Sequence, residues 1–354
     1  MSIGQWPADG LEAVPACPIC GGLQRTVLRR DLTDLTFGVA PGQWTLYQCS
    51  ACRSGWLDPR PDQATIGMAY QNYYTHSAPQ EASRQKSPMV RRLHHWLEDY
   101  QNVSYGLAPV SPLSIGRWLV PLLPSLRAKA RAKWRHLSKA PVGGGNLLDF
   151  GFGDGEFLHF ASKVGWTAEG IDFDPETVRR GKMGGLDVRC CAASADLSGD
   201  HGKYDVITLS HVIEHMHDPC GLLVQLYGLL KPGGYLWLET PNLESCGAKR
   251  FGGNWRGLEP PRHLAIFNLY SLRLALRQAG FDQVRQYWHG MSALSIFAES
   301  MALERRSTLQ GARLPVTAGL RALLTEVTEF LHPEKREFLT LMAFKRADPR
   351  TPAH

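Results

Sequence analysis

The chain has 354 residues, of which 44% are hydrophobic and 20% charged, with 35 glycines and 23 prolines. This composition is that of a globular protein long enough for two or more cores, and it excludes fibrous, low-complexity and disordered chains. The formal net charge of +6 permits contact with anionic ligands but is too small to indicate a dedicated nucleic-acid binder.

Residues 1–60 are predicted to form a zinc-ribbon module. Two C-x-x-C pairs supply the four thiolates of a closed, structural, tetrahedral zinc site. The ligands of this site would be Cys17, Cys20, Cys49 and Cys52. The 28 residues between the pairs exceed the usual spacing, so a hairpin or a longer ribbon must fill the gap. Disulfides or a site without metal are the alternatives.

Residues 61–140 are predicted to form a helical cap or linker that prolines interrupt. The segment contains an aromatic cluster of Tyr70, Tyr73 and Tyr74. This cluster could form a lid over a ligand or belong to the core. The apolar residues 118–124 precede a basic run at 127–139, a pairing compatible with anionic lipid, with ribosomal RNA or with a helix that has one solvated face.

Residues 141–348 alternate predicted strands and helices, which is typical of a parallel sheet covered on both faces. The predicted strands are 147–150, 168–172, 187–190, 204–209, 235–239, 281–288 and 337–345. A helical insertion is expected at about 290–335, and 349–354 form a tail. No apolar run could cross a bilayer and no signal-peptide pattern begins the chain, so we expect a cytoplasmic protein.

A glycine loop follows the first of these strands. Its glycines are Gly151, Gly153 and Gly155. In a dinucleotide fingerprint the third glycine comes one residue later, and the carboxylates of Asp149 and Asp154 would repel a pyrophosphate but favour a cation. Asp172 ends the next strand, where an acidic residue binds the two ribose hydroxyls. An adenosine-type ligand with a cationic tail is S-adenosylmethionine.

Together with 171–175, 204–207, 230–234 and 278–281, this loop resembles the class I S-adenosylmethionine-dependent methyltransferases. The resemblance implies a Rossmann-like seven-stranded methyltransferase sheet, an α/β fold that here carries an N-terminal zinc ribbon and helical insertions.

The resemblance also implies the residues that bind the cofactor. Asp149 and the glycine backbone would hold the methionine part of S-adenosylmethionine, Asp172 the ribose and Phe173 the adenine, with Ser210 at the end of the fourth strand. Many relatives carry an acid after the third strand, where this chain has alanines and a serine at 192–195. The contact to the adenine amino group would then come from backbone or from Asp196.

Three histidines and two carboxylates follow the fourth strand within residues 211–218. Such a group suits proton transfer, because a neutral imidazole accepts a proton near pH 7. The stretch is similar to the Glu-x-x-Glu-His pattern of ubiquinone-pathway O-methyltransferases, which can hold a divalent ion. In this chain His211 stands at the first Glu position of that pattern, while Glu214 and His215 match its last two residues. Because magnesium prefers oxygen ligands, the histidine at the first position argues against a magnesium site. Alternatively, Glu214 and His215 cap the following helix.

A second polar cluster lies at residues 255–264. His263 follows two prolines on a stiff loop, and Arg262 could bind a phosphate or carboxylate of the acceptor. A purely structural loop is the alternative. We predict Glu214 and His263 as the main catalytic residues, followed by His215 and His211.

Three functions are compatible with these motifs. The first is methylation of oxygen or carbon in a small, anionic metabolite such as a nucleotide-linked sugar or an envelope precursor. The second is RNA methylation, with the zinc module binding the RNA. Against it, the end of the fourth strand has neither the sequence motif of amino-group methyltransferases nor a cysteine that could act as the nucleophile. The third is a non-catalytic S-adenosylmethionine-binding scaffold. The oligomeric state is open.

Overall fold

A computed structural model describes residues 4–70, 88–109, 115–191, 197–309 and 312–347. The chain divides into two compact units. The first unit comprises Met1–Tyr73, Ala192–Tyr287 and Ser292–His354, and the second comprises Tyr74–Cys191 and Trp288–Met291. Within the described residues, no helix has the length and apolar character needed to span a membrane.

The described residues contain thirteen strands. They are β1 (Leu11–Glu12), β2 (Arg25–Leu32), β3 (Trp44–Cys49), β4 (Gly55–Leu57), β5 (Arg60–Pro61), β6 (Asn146–Phe150), β7 (Thr167–Asp172), β8 (Asp187–Cys190), β9 (Tyr204–Ser210), β10 (Leu230–Pro241), β11 (Ala265–Ile266), β12 (Gln283–Tyr287) and β13 (Phe338–Phe344).

The same part of the chain contains ten α-helices. They are α1 (Pro88–Ser104), α2 (Gly116–Leu119), α3 (Pro124–Lys133), α4 (Glu156–Lys163), α5 (Pro175–Met183), α6 (Pro219–Leu229), α7 (Cys246–Phe251), α8 (Leu269–Gln278), α9 (Ser292–Glu304) and α10 (Val316–Leu331).

The second unit holds three parallel strands of the predicted α/β sheet. β7 pairs with β6 on one side and with β8 on the other, in parallel registers. α4 follows β6 and α5 follows β7, as expected for strand–helix–strand units. α1, α2 and α3 lie in the segment predicted to be helical.

The first unit holds the remaining four strands of this fold, in the order β12-β13-β10-β9. β9 and β10 are parallel, whereas β13 is antiparallel to both β10 and β12. The central residues of β9 and β10 are almost all buried, which is expected for strands covered on both faces. With the three strands of the second unit they make up the seven strands of the predicted α/β fold class.

The cysteine-rich N-terminal residues build a second sheet, in the order β11-β4-β3-β2. Its edge strand β11 comes from residues 265–266, far along the chain. The hydrophobic core is shared in the same way, because Trp44, Leu46 and Leu57 belong to one cluster with Trp255 and Leu258. A module of 60 residues has too little core of its own, and this shared core stabilises it.

The apolar and basic segment at 118–133 belongs to the second unit. Trp118, Leu122 and Leu123 are exposed, and α3 follows with its cationic side chains. Anionic lipid, ribosomal RNA and a helix with one solvated face stay open as alternatives for this segment.

Candidate active site and metal centre

The glycine loop joins β6 to α4 in the second unit. Gly151, Gly153 and Gly155 have φ angles of 77°, 60° and 78°, a left-handed conformation that side chains with a Cβ rarely adopt. The backbone N–H of Gly153 donates to Oδ2 of Asp172 at 3.2 Å. The structure therefore places the acid that ends β7 directly beside the loop.

Asp172 combines partial burial with two backbone contacts. Its Oδ1 accepts a hydrogen bond from the N–H of Asp174 at 3.1 Å. Burial raises the pKa of Asp172, against the effect of the N–H donors of Asp174 and Gly153. Phe173 lies next to it and makes an edge contact with Phe150, with ring centroids 5.4 Å apart. This arrangement offers an acceptor carboxylate and an aromatic ring on one side of the loop.

The two other acids of the loop have different surroundings. Asp154 is exposed, and its Oδ1 accepts the N–H of Glu156 at 3.0 Å at the start of α4. Asp149 is fully buried and forms an ion pair with Arg135. Residues 192–196, predicted near the adenine, lie outside the described residues.

Arg135 was not predicted as a site residue. Arg135 follows α3 and belongs to the basic run at 127–139. Its guanidinium packs over the ring of Phe157, with 4.0 Å between the guanidinium carbon and the ring centroid. Its ion pair with Asp149 places it at the end of β6, where the loop begins. The basic run itself was the only sequence signal, and it does not distinguish Arg135 from the other cations.

The polar cluster at the end of β9 lies in the first unit and is centred on Glu214. Ser210, the last residue of β9, is half-buried and lies opposite Glu239 of β10. His211 follows with a φ of 53°, which is uncommon for a residue other than glycine and is concentrated at functional sites.

The imidazole of His211 lies between two carboxylates. Its Nδ1 is 3.4 Å from Oε1 of Glu214, and its Nε2 is 3.6 Å from Oε1 of Glu239. Burial opposes the charge of the ring, but the two carboxylates outweigh it and raise the pKa of His211 to about 10. At neutral pH the ring is therefore a cation, and its side chain is 40% exposed.

Glu214 is fully buried beneath His211. Its Oε2 accepts a hydrogen bond from Thr240 at 2.9 Å. Burial favours the neutral acid, but the contact with the cationic ring of His211 outweighs it and lowers the pKa of Glu214 to about 2. Asp218, rather than Glu214 or His215, caps α6 by accepting the N–H of Gly221 at 2.8 Å. The capping alternative therefore does not hold.

His215 and His263 pack against each other, with ring centroids 4.7 Å apart. Nδ1 of His263 lies 2.8 Å from the carbonyl of Gly257, and Nδ1 of His215 lies 3.0 Å from the carbonyl of Arg262. Because a carbonyl only accepts, each ring carries its proton on Nδ1. Burial lowers the pKa of both histidines, so both are neutral at neutral pH.

Glu214, His215 and His263 could also hold a metal ion. One potential ligand atom from each lies within 4.8 Å of the others. One carboxylate and two imidazoles suit zinc or a similar transition metal better than magnesium, which prefers oxygen ligands.

The prediction that Arg262 binds the acceptor is wrong. Its side chain is fully buried and forms an ion pair with Asp34, and its Nη1 donates to the carbonyl of Ala69 at 2.7 Å. Tyr70 lies nearby, with its hydroxyl 2.9 Å from Nδ1 of His215. Tyr73 and Tyr74, the other members of the predicted aromatic cluster, lie outside the described residues.

The four N-terminal cysteines form one cluster in the first unit. Their sulfurs all lie within 4.8 Å of one another, with Cys17 3.6 Å from Cys52 and Cys20 3.5 Å from Cys49. None of them is in a disulfide, which requires sulfurs about 2.0 Å apart. A tetrahedral zinc ion bonded to four thiolates needs sulfurs about 3.8 Å apart, so the cluster fits zinc.

Residues 125–286 match a protein family described as "Methyltransferase domain". The ubiquinone biosynthesis O-methyltransferase of Thiobacillus denitrificans is 28% identical over 118 residues, 32% of this chain and 50% of the relative. That of Caulobacter vibrioides is 30% identical over 147 residues, 39% of this chain and 58% of the relative. The chain thus spans about half the length of the curated relatives it matches.

A solved structure of an S-adenosylmethionine-dependent methyltransferase from Archaeoglobus fulgidus is 21% identical. The match covers 62% of this chain and 93% of that chain, with a TM-score of 0.43. On the family match and the motifs together, residues 125–286 are a methyltransferase domain of the S-adenosylmethionine-dependent class.

Proposed function

We propose that this protein transfers a methyl group from S-adenosylmethionine to an ionisable oxygen of a small, anionic metabolite. An acidic carbon that ionises in the same way would serve as well. The observation that carries the proposal is His211, an exposed cationic ring held between Glu214 and Glu239 at the end of β9. The relatives named as ubiquinone biosynthesis O-methyltransferases support oxygen as the acceptor atom.

The residues around the glycine loop fit S-adenosylmethionine. Asp172 would accept from the ribose hydroxyls, Phe173 would contact the adenine and the glycine backbone would border the methionine part. Arg135 would bind the methionine carboxylate, because a guanidinium pairs well with carboxylates. Asp154 is exposed and would face the ammonium and sulfonium charges, whereas Asp149 is buried against Arg135 and would orient its guanidinium. When bound, the cofactor supplies an electrophilic methyl group on a sulfonium.

His211 would bind the acceptor oxygen. Because the ring is already protonated, it does not take the hydroxyl proton of the acceptor, which leaves to solvent as the hydroxyl ionises. Nε2 of His211, which at 3.6 Å makes no hydrogen bond to Glu239, would then donate to the oxyanion and lower the pKa of the hydroxyl. Glu214 is buried and acts through His211, so we propose it as a positioning residue. His263 is also buried, and its Nε2 lies 3.9 Å from Oε1 of Glu214, so it borders Glu214 by packing and makes no hydrogen bond to it.

The proposal is tested by methyl transfer from tritiated S-adenosylmethionine to a panel of small phenols that carry a carboxylate or phosphate, with ribosomal RNA as the competing acceptor. We expect label in the phenols and little dependence on salt. Labelling of RNA alone, with binding that falls steeply as salt is added, would contradict the small-molecule proposal.

Asp172→Ala should weaken S-adenosylmethionine binding by about 1–3 kcal/mol, because two charge-assisted hydrogen bonds to the ribose are lost. Calorimetry measures this effect directly. Asp187→Ala is the matched control, since Asp187 is an exposed aspartate at the opposite end of the neighbouring strand β8. Equal affinity in the two variants would contradict the assignment of Asp172, and no binding to the parent protein would remove the cofactor proposal.

We also propose that the four N-terminal cysteines hold a structural zinc ion. Because four thiolates leave no open position, this ion would stabilise the N-terminal sheet and take no part in methyl transfer. We expect about one zinc per chain by elemental analysis. Cys49→Ser should release it and lower the melting temperature, while the exposed Cys190→Ser should retain it. A parent protein prepared without chelator and free of zinc would refute the site.

A further inference from the structure

The outer face of α10 is apolar and exposed. Val316, Leu320, Leu323, Leu324, Val327 and Leu331 are each more than half exposed. At 3.6 residues per turn these six side chains fall within an arc of roughly 100°, the width of a stripe that a helix normally buries in a core. A surface helix of a monomer is expected to show the opposite arrangement.

The inner face of α10 carries the carboxylates. Glu326 and Glu329 are buried, and Ala322, which lies between them on the same face, is fully buried as well. Oε1 of Glu326 accepts the N–H of Ala293 at 2.8 Å, at the start of α9, and Ser292 donates to Oε2 of Glu329 at 3.3 Å. These bonds fix the rotation of α10, so its apolar face cannot turn inward without leaving backbone and hydroxyl donors unpaired.

The charges on α10 argue for protein rather than lipid as the occupant of this face. A helix that lies on an anionic membrane carries several Lys or Arg residues along its polar side. Among the 16 residues of α10, Arg321 is the only cation. A partner with a matching apolar face would need no such charges.

The available area fits a second copy of the chain. The six side chains expose roughly 600 Å² per copy, so pairing that covered them completely would bury roughly 1,200 Å² in total, at the lower limit of stable protein interfaces. Leu320, Leu323 and Val327 recur at intervals of three and four residues, the spacing at which two helices interlock side chains. A two-fold axis would bring the same stripe of each copy together, as most homodimers do.

We propose that α10 is a self-association surface, through which two copies of the chain form a two-fold homodimer. The site lies on the helical insertion between β12 and β13, and the inference does not depend on the proposed methyl acceptor. Dimer formation would bury the apolar stripe that the folded monomer leaves open.

The test is sedimentation velocity of the full chain over about a hundredfold range of concentration, with Val327→Glu and Val224→Glu compared. Val224 on α6 is exposed to the same degree as Val327, 54% against 56%, and serves as the matched control. We expect a dimer for the parent and for Val224→Glu. Val327→Glu should raise the dimer dissociation constant at least about tenfold, because pairing would bury a carboxylate.

Circular dichroism checks that each variant is folded, and Leu324→Glu replaces Val327→Glu if the latter does not fold. A parent that is monomeric throughout, or equal behaviour of the variants at 224 and 327, refutes the proposal. Cosedimentation of a monomeric parent with phosphatidylglycerol vesicles, lost in Val327→Glu, would assign the face to lipid and also refute it.

Discussion

His211→Asn should lower the turnover number by about 10²- to 10³-fold and leave the affinity for S-adenosylmethionine within about threefold. The asparagine has no positive charge to stabilise an acceptor oxyanion. The proposed cofactor ligands, Asp172 and Arg135, belong to the other compact unit of the chain and keep their contacts. Turnover is measured with tritiated cofactor and a phenol carboxylate acceptor, and affinity by calorimetry.

His201→Asn is the matched control for this substitution. His201 is an exposed histidine of the first unit that lies outside the cluster around Glu214, so its loss should change turnover by less than about twofold. Full activity of His211→Asn would refute the contact between His211 and the acceptor, while leaving the cofactor assignment intact.

The pH dependence separates a positioning role of Glu214 from a merely structural one. Glu214 and Glu239 raise the pKa of His211 to about 10, so the parent should keep the imidazolium, and show no alkaline loss of turnover, from neutral pH to near that value. Glu214→Gln removes one carboxylate and should move the alkaline loss of activity to lower pH. If Glu214 had only a structural role, Glu214→Gln would lower the activity by the same factor at every pH.

Local patterns were sufficient to predict the α/β class and most strands. The alternation of 204–209 and 235–239 with helical segments predicted β9 and β10, because buried parallel strands are continuous apolar runs. The interval between Gly153 and Asp172 likewise predicted two residues that the structure brings into contact. Signals of this kind depend on backbone geometry over a few residues.

Pairings between distant parts of the chain could not be predicted. Strand β11 joins the N-terminal sheet across about 200 residues, and Asp34 pairs with Arg262 across 228. A single sequence gives no signal for such contacts, since any buried arginine could pair with any of many carboxylates. The ion pair of Arg135 with Asp149 spans only 14 residues, but it was not predicted either, because the basic run offers several cations that could pair with Asp149. The absence of a long-range signal also led to Arg262 being assigned to the acceptor.

Asp34→Asn should lower the free energy of unfolding by about 3 kcal/mol, because it leaves the buried charge of Arg262 with Glu259, 3.7 Å away, as its remaining carboxylate partner. The guanidinium of Arg262 is fully buried, packs over the ring of Phe37 at 4.1 Å and donates to both oxygens of Asp34. Urea unfolding measures the loss. Glu304→Gln is the control, because it breaks a half-exposed pair with Arg250 and should cost no more than about 1 kcal/mol.

The double variant Asp34→Asn, Arg262→Met tests the cause of the Asp34→Asn loss. Removing the buried guanidinium of Arg262 as well should restore part of the stability, although three backbone N–H groups would still lose the carboxylate of Asp34.

Burial favours neutral Asp34, but Arg262 outweighs it and lowers the pKa of Asp34 below its ordinary 3.8. Its contribution is therefore present above that pH and lost as the pH falls below it. The parent should lose more stability than Asp34→Asn on acidification below about pH 4. Equal losses in the two proteins would mean that the ion pair contributes little, and that shape alone holds the loop of Arg262 against the N-terminal sheet.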